Sequence, residues 1–472
     1  MRKNVVSPHE QVRPVDTRAR FAPAPDAVAR APAPLESAGV WALLATLGLL
    51  VALTVPELGS DAWPFHPASV RPHGVLSPLV RAAHERWDLG VVRTPAVFAG
   101  LLVAAAAAAA LRVRAWRPRT AIALACTAIV LLLAPAVLLQ VGLRQASAPW
   151  FHTNDSTYQI ELAGDLIRHG HDPYGHDYSD SGLERWYPAA GFDPGRRQVA
   201  LRHFAYFPGA ALTAAAWGAL PSPADDYRLF VLLTTFASFF AVLLFRAPLA
   251  WRLAAGAVVA ANPLAIHAAW FGTADAPSIL CLVLAFALVT RERYVAAAAS
   301  IAVAVLLKQF ALVALPFLAV MVLLRRAARE TLWRAAAVFV GILAAGVLPF
   351  LVADPGAFWG DTISYGASTY RIIGYGLSGL LVRAHVIHDR FGHYPFALLA
   401  LLVWLPVTAW LVWNQLRAGA LWLGAAGFAV SMFVLLFVSR VFQNSYLVWP
   451  LTGIALAAVL AAGERRLSRA AP

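Results

Sequence analysis

Apolar runs long enough to cross a bilayer recur along this chain, and they limit its fold more than any other feature. Most of them approach the length needed for about 30 Å of hydrocarbon, and lipid offers the backbone no hydrogen-bond partner outside its own helix. A composition of 60% apolar and 13% charged residues agrees with this interpretation. The sequence therefore predicts an all-α, polytopic helical membrane protein and not a series of soluble domains. The candidate spans are 38–55, 94–111, 120–142, 205–220, 227–245, 252–270, 272–290, 294–309, 311–325, 333–352, 395–413, 419–439 and 444–462.

The net charge of +13 comes from arginines that sit mostly in short loops and tails. In a soluble protein this charge would suggest nucleic acid, but in a membrane protein the positive-inside rule explains it, so no nucleic-acid partner is predicted. The rule places the loops 112–119 and 325–334 and both termini in the cytoplasm. The polar segments 143–204 and 353–394, together with the turn 439–445, are then outside.

Seven candidate spans lie between the two outer segments, although an even number is needed to return to the same side. We expect the region 205–245 to cross only once in net, which gives about twelve crossings with both termini in the cytoplasm. The predicted parts are a disordered basic cytoplasmic tail (1–37), three N-terminal transmembrane helices (38–142), a first large catalytic outer loop (143–204), a transmembrane core (205–352), a second outer loop (353–394), C-terminal transmembrane helices (395–463) and a cytoplasmic tail (464–472).

The first outer loop carries the most distinctive polar sequence of the chain. Its opening puts Asp155 within a few residues of the predicted membrane surface, where a carboxylate can serve as a general base. The alternative is structural: Asn154 or Asp155 would cap a short helix that runs along the membrane surface through Tyr158 and Leu166. The segment Gly170–Tyr174 then follows as a helix stop and a turn.

Histidines are numerous in the first outer loop, which raises the question of metal binding. None of them forms a tight ligand pair of the HExxH kind, so solvated or phosphate-contacting histidines are favoured over a metal site. The two cysteines fall inside apolar runs and are interpreted as small core residues without a disulfide or metal role. The histidines are His152, His169, His171, His176 and His203.

Two ionisable residues interrupt apolar sequence. Lys308, one of two lysines against thirty-six arginines, has apolar neighbours, and an ionisable group within a span is costly enough to suggest a function. A lysine that snorkels from a helix end is the alternative. Asp275 follows a break at Gly272 and could pair with a cation or cap the next helix.

The second outer loop and the turn after it add cations and aromatic residues on the same predicted side. Arg371, flanked by aromatic residues, can grip a phosphate bidentately while the rings cover a sugar or an isoprenoid, and Arg440 adds a second cation. Ordinary anchoring at the membrane interface explains each of these residues individually. Their convergence with Asp155, Asp275 and Lys308 on one face favours a shared site. The polar residues of the loop are Asp361, Tyr365, Tyr370, Arg371, Tyr375, Arg383, His385, His388, Arg390 and His393.

A series of short motifs resembles the GT-C membrane glycosyltransferases, in particular the bacterial mannosyltransferases that use polyprenyl-phosphate-mannose. The resemblance covers about 120–460, and the order and spacing of the motifs make the set specific. Two extra N-terminal spans and the long tail depart from the simplest layout of that family, in which the catalytic loop follows the first helix. The motifs are Asn154-Asp155-Ser156-Thr157-Tyr158, Gly170-His171-Asp172-Pro173-Tyr174, Phe204-Ala205-Tyr206-Phe207-Pro208, Asn262-Pro263, Trp270-Phe271-Gly272-Thr273-Ala274-Asp275 and Leu307-Lys308-Gln309-Phe310.

The resemblance implies transfer of a hexose, with mannose the expected sugar, from a polyprenyl-phosphate donor to a hydroxyl of an envelope glycolipid or glycan. The transfer would proceed with inversion on the extracytoplasmic face of the plasma membrane. Because arginine and lysine can hold a phosphodiester leaving group, we expect no cofactor and no resident metal, although some relatives use a metal. By the same resemblance Asp155 would deprotonate the acceptor, and Lys308, Arg371 and Arg440 would bind the donor phosphate. The expected substrate contacts are Asn154, Tyr158, Asp172, Tyr174, His203, Tyr206, Asp275, Tyr370 and Tyr446.

A transporter or flippase for a lipid-linked saccharide is the alternative function, because it would also need outward-facing cations and aromatic grooves. The substitution Asp155→Asn separates the two: a transporter should show graded effects, whereas an enzyme should lose turnover and keep its fold and donor binding. A purely structural subunit is disfavoured, because it would gain nothing from the costly residues Lys308 and Asp275.

Overall fold

A computed structural model of the chain describes residues 71–84, 89–111, 118–146, 154–186, 199, 201–262 and 273–470. Nearly all regular structure in these residues is helical, which confirms the all-α prediction. Several predictions fall outside the described residues: the tail 1–37, the span 38–55, the opening Trp150–Thr153 of the first outer loop and the motif residues Pro263–Gly272.

The described residues form seventeen α-helices, which follow the predicted apolar runs to within a few residues at most ends. Short 3-10 helices lie at Leu183–Trp186, Gln309–Ala314 and Asn444–Leu447, and π-helices at Gly360–Thr369 and Ala400–Trp404. The α-helices are α1 (Ser77–His84), α2 (Gly90–Ala110), α3 (Pro118–Ala146), α4 (Asp155–Arg168), α5 (Pro208–Trp217), α6 (Tyr227–Leu243), α7 (Leu249–Ala261), α8 (Ala276–Thr290), α9 (Tyr294–Leu307), α10 (Leu315–Leu324), α11 (Arg329–Ala353), α12 (Pro355–Trp359), α13 (Leu377–Arg383), α14 (Phe396–Leu399), α15 (Leu405–Ala418), α16 (Trp422–Val438) and α17 (Val448–Ala470).

Local sequence explains where several of these helices begin and end. Pro208 opens α5, where its fixed φ suits a first helical turn and its missing N–H costs nothing. Asp226 caps α6 by accepting a hydrogen bond from the backbone N–H of Arg228 at 3.0 Å. Gly419 ends α15 with a φ of 65°, a left-handed conformation in which glycine has no steric penalty.

The number of helices that can cross a membrane is smaller than expected. Among the described residues, five helical stretches have the required length and hydropathy, and six further apolar helices have only 10–17 residues. The structure therefore does not support a count of about twelve spans. The segment 205–220 contains only the ten residues of α5, and such a helix rises about 15 Å, half the hydrocarbon thickness. The five long stretches are Gly90–Ala110, Pro118–Ala146, Arg329–Ala353, Phe396–Ala418 and Asn444–Arg465.

The long C-terminal helices differ in how much apolar surface they leave uncovered. In α11 only Gly346 is buried, and large residues such as Trp333 and Val352 are exposed, as expected for a helix that faces lipid. By contrast, α17 buries Trp449 completely and packs against α16 and α7. This helix continues to Ala470, so the predicted tail 464–472 is helical through that residue.

The first outer loop folds back on the helices as a compact unit. As predicted, a helix begins at Asp155, and it ends at Arg168, shortly before Gly170, whose φ is 77°. Along this helix α5 packs so closely that a Cβ on Gly164 would lie 2.6 Å from the backbone nitrogen of Ala215. The segment 205–220 therefore packs on the helix of the first outer loop, and it also contacts α9 and α11.

The second outer loop is more ordered than a simple connection. After α12 and a π-helix, and before α13, its middle forms a two-residue strand, β1 (Ile373–Gly374), which pairs in parallel with β2 (Val441–Phe442) of the later turn. Gly374 has a φ of 105°, and a Cβ there would overlap the carbonyl oxygen of Phe442. Only glycine fits at this junction, which fixes the loop against the 439–445 turn.

Candidate active site

The first turn of α4 carries the expected general base. Asn154, in the extended conformation of an N-cap, accepts a hydrogen bond from the backbone N–H of Ser156 at 2.9 Å. Asp155 is the first helical residue, and its Oδ1 accepts from the same N–H at 2.8 Å. Asn154 therefore takes the N-cap position. At the N-terminus of a helix the macrodipole stabilises the Asp155 carboxylate as an anion.

Four tyrosines from different parts of the chain lie within electrostatic reach of this carboxylate. Burial raises the pKa of Tyr206, Tyr365 and Tyr370, and the charge of Asp155 adds to the shift of each phenol. Tyr446, at the start of the last long helical stretch, also lies within electrostatic reach of Asp155. Asp155 itself is half-buried, so its carboxylate is partly desolvated and still partly accessible.

Lys308 and Asp275 form an ion pair, with Nζ 2.6 Å from Oδ1. The indole Nε1 of Trp449 donates to the same carboxylate oxygen at 2.7 Å. Asp275 immediately precedes α8 without capping it through its side chain, and Lys308 immediately follows the neighbouring helix α9. Each charge therefore complements the macrodipole at its helix end. Of the two roles considered for Asp275, pairing with a cation is confirmed and side-chain capping is wrong.

Aromatic rings enclose the ammonium group of Lys308. The centroids of Tyr206, Phe310 and Tyr446 lie 5.9, 5.2 and 5.1 Å from Nζ. Only 9% of the lysine side chain is exposed, so its charge is held inside the protein and not in solvent as in a snorkelling lysine. Tyr206 and Tyr446 also lie within electrostatic reach of Asp155, so the carboxylate and the ion pair share two neighbouring tyrosines.

The junction of β1 and β2 brings arginines next to this cluster. Arg440 is buried, its Nε donates to the carbonyl of Tyr370, and its Nη2 donates to that of Arg390 at 3.5 Å. Its Nη1 has no hydrogen-bond partner among the residues that the structure describes. Burial and the nearby charge of Arg390 lower the pKa of Arg371. Crowded, partly desolvated cations of this kind favour the binding of an anion.

A cavity of about 320 Å³ opens beside these arginines. Its wall contains Arg383, Arg390 and the backbone of 372–375, with Gln443 and Asn444 on the opposite side. The guanidinium of Arg383 lies 5.6 Å from the ring centroid of Tyr375, which is a cation–π contact. The cavity is large enough for a phosphate group with part of an attached sugar, and its cations suit an anion.

The comparison with protein families identifies the class of enzyme. The family model of glycosyltransferase family 87 matches residues 204–439, which is half of the chain. The chain belongs to glycosyltransferase family 87. No curated protein matches it at a significant level. The match covers Tyr206, Asp275, Lys308 and Arg371, whereas Asp155 lies before the matched residues.

Membership of family 87 makes the protein a membrane glycosyltransferase of the GT-C type, as the sequence motifs indicate. It therefore acts on a sugar donor and an acceptor. The transporter alternative has no comparable support, because the matched family is one of glycosyltransferases.

Some predicted substrate contacts of this family 87 enzyme instead fold its first outer loop. Tyr158 is buried and donates to the carbonyl of Ser181 at 2.7 Å, and Tyr174 is buried and donates to that of Tyr206 at 2.8 Å. Asp172 accepts from the backbone N–H of Tyr174 at 2.9 Å, which closes the predicted turn. The observed contacts of these three side chains shape the loop and hold Tyr206 in place.

The carboxylate of Asp361 links the two outer loops of the enzyme, a role that the sequence did not single out. Its Oδ1 is 2.6 Å from Nδ1 of His203, and its Oδ2 accepts from the backbone N–H groups of Gly175 and Phe204 at 2.9 and 3.2 Å. Only 2% of the Asp361 side chain is exposed. The sequence contained one hint of this role, because Asp361 is the one charged residue in the stretch 357–365.

A second ionic network lies behind α4, away from its first turn. Arg144 makes a bidentate contact with Glu161 at 2.8 and 2.6 Å and approaches Asp226 at 3.4 Å. Asp226 also accepts from Nε of the fully buried Arg228 at 2.8 Å. These groups border a polar cavity of about 590 Å³ and join α3, α4 and α6.

A metal centre is not indicated by the described part of the enzyme. Within residues 71–84, 89–111, 118–146, 154–186, 199, 201–262 and 273–470, no group of three or more His, Cys, Asp or Glu side chains is arranged to hold a metal ion. Cys126 and Cys281 lie inside α3 and α8 as free thiols.

Proposed function

We propose that this family 87 enzyme transfers a hexose, with mannose the expected sugar, from a polyprenyl-phosphate donor to a hydroxyl of an envelope glycolipid or glycan. The transfer inverts the anomeric carbon and takes place on the extracytoplasmic face of the plasma membrane. The observation that carries the proposal is that the same two tyrosines, Tyr206 and Tyr446, flank the ammonium group of Lys308 and lie within electrostatic reach of Asp155.

The donor phosphate is assigned to the cations of the second outer loop and the following turn. Arg371 and Arg440 adjoin Tyr370, and Arg383 and Arg390 line the neighbouring cavity. Asp389 acts on this group, where it opposes the effect of burial on the pKa of Arg440. Four arginines against one carboxylate leave an excess of positive charge that a phosphodiester can neutralise.

Lys308 is a second, weaker candidate for binding the donor phosphate. At rest its charge is balanced by Asp275, so the pair has no net charge to attract an anion from a distance. The enclosing rings of Tyr206 and Tyr446 offer flat apolar faces against which a sugar or the first isoprene unit can stack. A phosphate that reached this position would share the ammonium with Asp275.

Asp155 serves as the general base at the acceptor end of the site. The acceptor oxygen attacks the anomeric carbon while its proton moves to the Asp155 carboxylate. The bond from that carbon to the phosphate oxygen breaks, its electron pair stays on the polyprenyl phosphate, and arginines stabilise the added charge. Attack from the side opposite to the leaving phosphate inverts the configuration.

Contacts between the two outer loops support their placement on one side of the bilayer. Asp361 of the second loop accepts hydrogen bonds from Gly175 and Phe204 of the first, and its Oδ1 contacts His203. Segments joined by direct hydrogen bonds must share one face of the membrane. The base and the arginines can therefore serve a single lipid-linked donor.

The test uses purified protein in lipid nanodiscs, polyprenyl-phosphate-mannose and an extract of envelope glycolipids as acceptor. We expect release of polyprenyl phosphate, with no release by Asp155→Asn and unchanged donor binding in that variant. Asp177→Asn is the matched control, because Asp177 is an exposed carboxylate of the same loop that contacts Ser179 and Arg202. Release by Asp155→Asn at the wild-type rate would remove Asp155 as the base.

A further inference from the structure

His203 and Asp361 form a dyad that is joined to α4, because Gln159, one turn after Asp155 on that helix, donates to the carbonyl of His203 at 2.9 Å. Nδ1 of His203 lies 2.6 Å from Oδ1 of Asp361, and the carboxylate is held from its other side by the backbone N–H groups of Gly175 and Phe204. The carboxylate is almost completely buried, whereas 27% of the histidine side chain is exposed. A buried carboxylate behind a partly exposed imidazole is the arrangement that orients a histidine for proton transfer.

The chemistry of the two groups fixes which ring nitrogen is available. An ionised carboxylate only accepts hydrogen bonds, so Nδ1 of His203 carries the hydrogen that Asp361 accepts. In the neutral imidazole Nε2 then presents a lone pair, and this nitrogen can take up a proton while Asp361 balances the new positive charge. If His203 only anchored the two loops, its Nδ1 contact with Asp361 would be sufficient and its Nε2 would have no role.

The position of the ring connects the dyad to Asp155. His203 stacks on Tyr365, with ring centroids 4.5 Å apart and an interplanar angle of 27°. Tyr365 in turn contacts Tyr370 edge to face at 5.0 Å, and both tyrosines belong to the group around Asp155. The charges of Asp155 and Asp361 both act on the phenol of Tyr365, so this ring lies within electrostatic reach of both carboxylates.

We propose that His203 is a proton-relay residue that takes the acceptor's proton from Asp155 during each turnover, and that Asp361 is its positioning residue. This inference rests on the proposed role of Asp155 as the base. The acceptor O–H proton passes to the Asp155 carboxylate, then to Nε2 of His203, and finally from the imidazolium to bulk water. Asp155 ends the cycle ionised, and His203 ends it neutral.

The relay has a physical purpose in a site that is filled by two substrates. A bound lipid donor and an acceptor displace the water that would otherwise carry the proton away from Asp155. The side chain of His203 is partly exposed, so it can pass the proton outward while the substrates remain bound. Asp155 therefore does not remain protonated beside the leaving phosphate after the acceptor has attacked.

The decisive variant is His203→Asn. The side-chain amide nitrogen of asparagine occupies the position of Nδ1 and can still donate to Asp361, but nothing replaces Nε2. We expect kcat for polyprenyl phosphate release to fall by roughly a hundredfold, with the KM of the donor within about twofold of wild type. His176→Asn is the matched control, because the ring of His176 packs on Tyr178 in the same outer loop, and it should leave kcat unchanged.

A second measurement separates proton transfer from loop anchoring. Added imidazole should restore kcat of His203→Ala in proportion to the concentration of its free base, and more basic methylimidazoles should restore it more. A purely structural histidine would show no such dependence on base strength. The relay is overturned if His203→Asn keeps the wild-type kcat, if it loses donor binding together with turnover, or if no imidazole restores His203→Ala.

The same assays distinguish failure of the relay from failure of the proposed function. If Asp155→Asn is inactive while His203→Asn is fully active, the base assignment stands and only the relay is wrong. If Asp155→Asn turns over at the wild-type rate, the base assignment fails, and the relay fails with it whatever His203→Asn does. Asp361→Asn should lower kcat in the same direction as His203→Asn, because an amide can present a donor to Nδ1 and reverse the tautomer.

Discussion

Lys308 and Asp275 are joined at 2.6 Å where the C-terminus of one helix meets the N-terminus of its neighbour. Removal of one partner leaves the other charge buried, which costs about 3–5 kcal/mol, whereas removal of both costs less. We therefore expect Lys308→Met to lower the Tm more than the double variant Lys308→Met/Asp275→Asn. Thermal unfolding of the purified protein in one detergent measures this order. Equal Tm values for the single and the double variant would contradict it.

The same pair gives a prediction for donor binding. Lys308→Ala should weaken the affinity for polyprenyl-phosphate-mannose more than Lys308→Arg, because arginine keeps a cation among the three rings. Isothermal titration with wild type and both variants measures the two affinities. If they are equal, the ammonium has no role in holding the donor and the pair is structural.

Arg390 lines the cavity next to Arg371 and Arg440, and its carbonyl also accepts from the latter. The variant Arg390→Gln keeps this backbone contact and removes one positive charge. We expect the Kd for the donor to rise about tenfold, equivalent to about 1.4 kcal/mol, and to depend less on salt concentration. Arg334→Gln is the control, because Arg334 is an exposed arginine that pairs with Glu330 on α11. Unchanged donor affinity in Arg390→Gln would argue against the cavity as the phosphate site.

Much of the fold follows from local properties of the sequence. Apolar runs predict the helices because lipid leaves the backbone no alternative, and Asn154 and Gly170 mark the ends of α4 by well-understood local chemistry. The pairing of Asp275 with a cation follows the same logic, since a buried carboxylate needs a partner. These features depend on a few neighbouring residues or on one general rule.

Other features depend on contacts between distant residues, and no local pattern encodes them. Asp361 meets His203 across 158 positions of the chain, and the helix α8 faces the C-terminal Trp449. The span count was too high because hydropathy does not reveal where a run is divided. The run after Lys308 passes through a 3-10 helix before α10 begins. Tertiary packing decides where such a run is divided into separate helices, and a single sequence does not show this packing.

Gly374 gives a test of the junction between the second outer loop and the 439–445 turn. An alanine there would clash with the carbonyl of Phe442 and force a φ of 105° on a residue with a Cβ, so Gly374→Ala should disrupt the pairing of β1 with β2. Because Arg440 depends on this junction for its contact with Tyr370, we expect the KM of the donor to rise several-fold. Gly366→Ala is the control, since a Cβ on Gly366 meets nothing within 4 Å. Equal KM values in the two variants would exclude a role for the junction.

Asp226 makes the stability of the protein depend on pH in a predictable direction. Burial opposes its ionised form, but Arg228 and Arg144 outweigh burial and lower the pKa of Asp226 in the folded state. A carboxylate with a lowered pKa stabilises the fold above the unfolded value near 4, and this contribution is lost as the pH falls through the folded pKa. At neutral pH, Asp226→Asn should therefore cost about 3 kcal/mol, because it leaves the buried Arg228 without its charged partner.

The difference between wild type and Asp226→Asn should shrink as the pH falls below about 4, because the unfolded chain then binds a proton at Asp226 that the folded protein, with its lowered pKa, does not. Thermal unfolding in one detergent, from about pH 7 down to about pH 3, measures this difference within the aspartate range. Asp225→Asn is the control, because Asp225 is a neighbouring carboxylate of the same cavity. The Tm of this variant should change with pH in parallel with that of wild type. A constant difference between wild type and Asp226→Asn across the range would mean that the stabilising interaction of Asp226 does not depend on its charge.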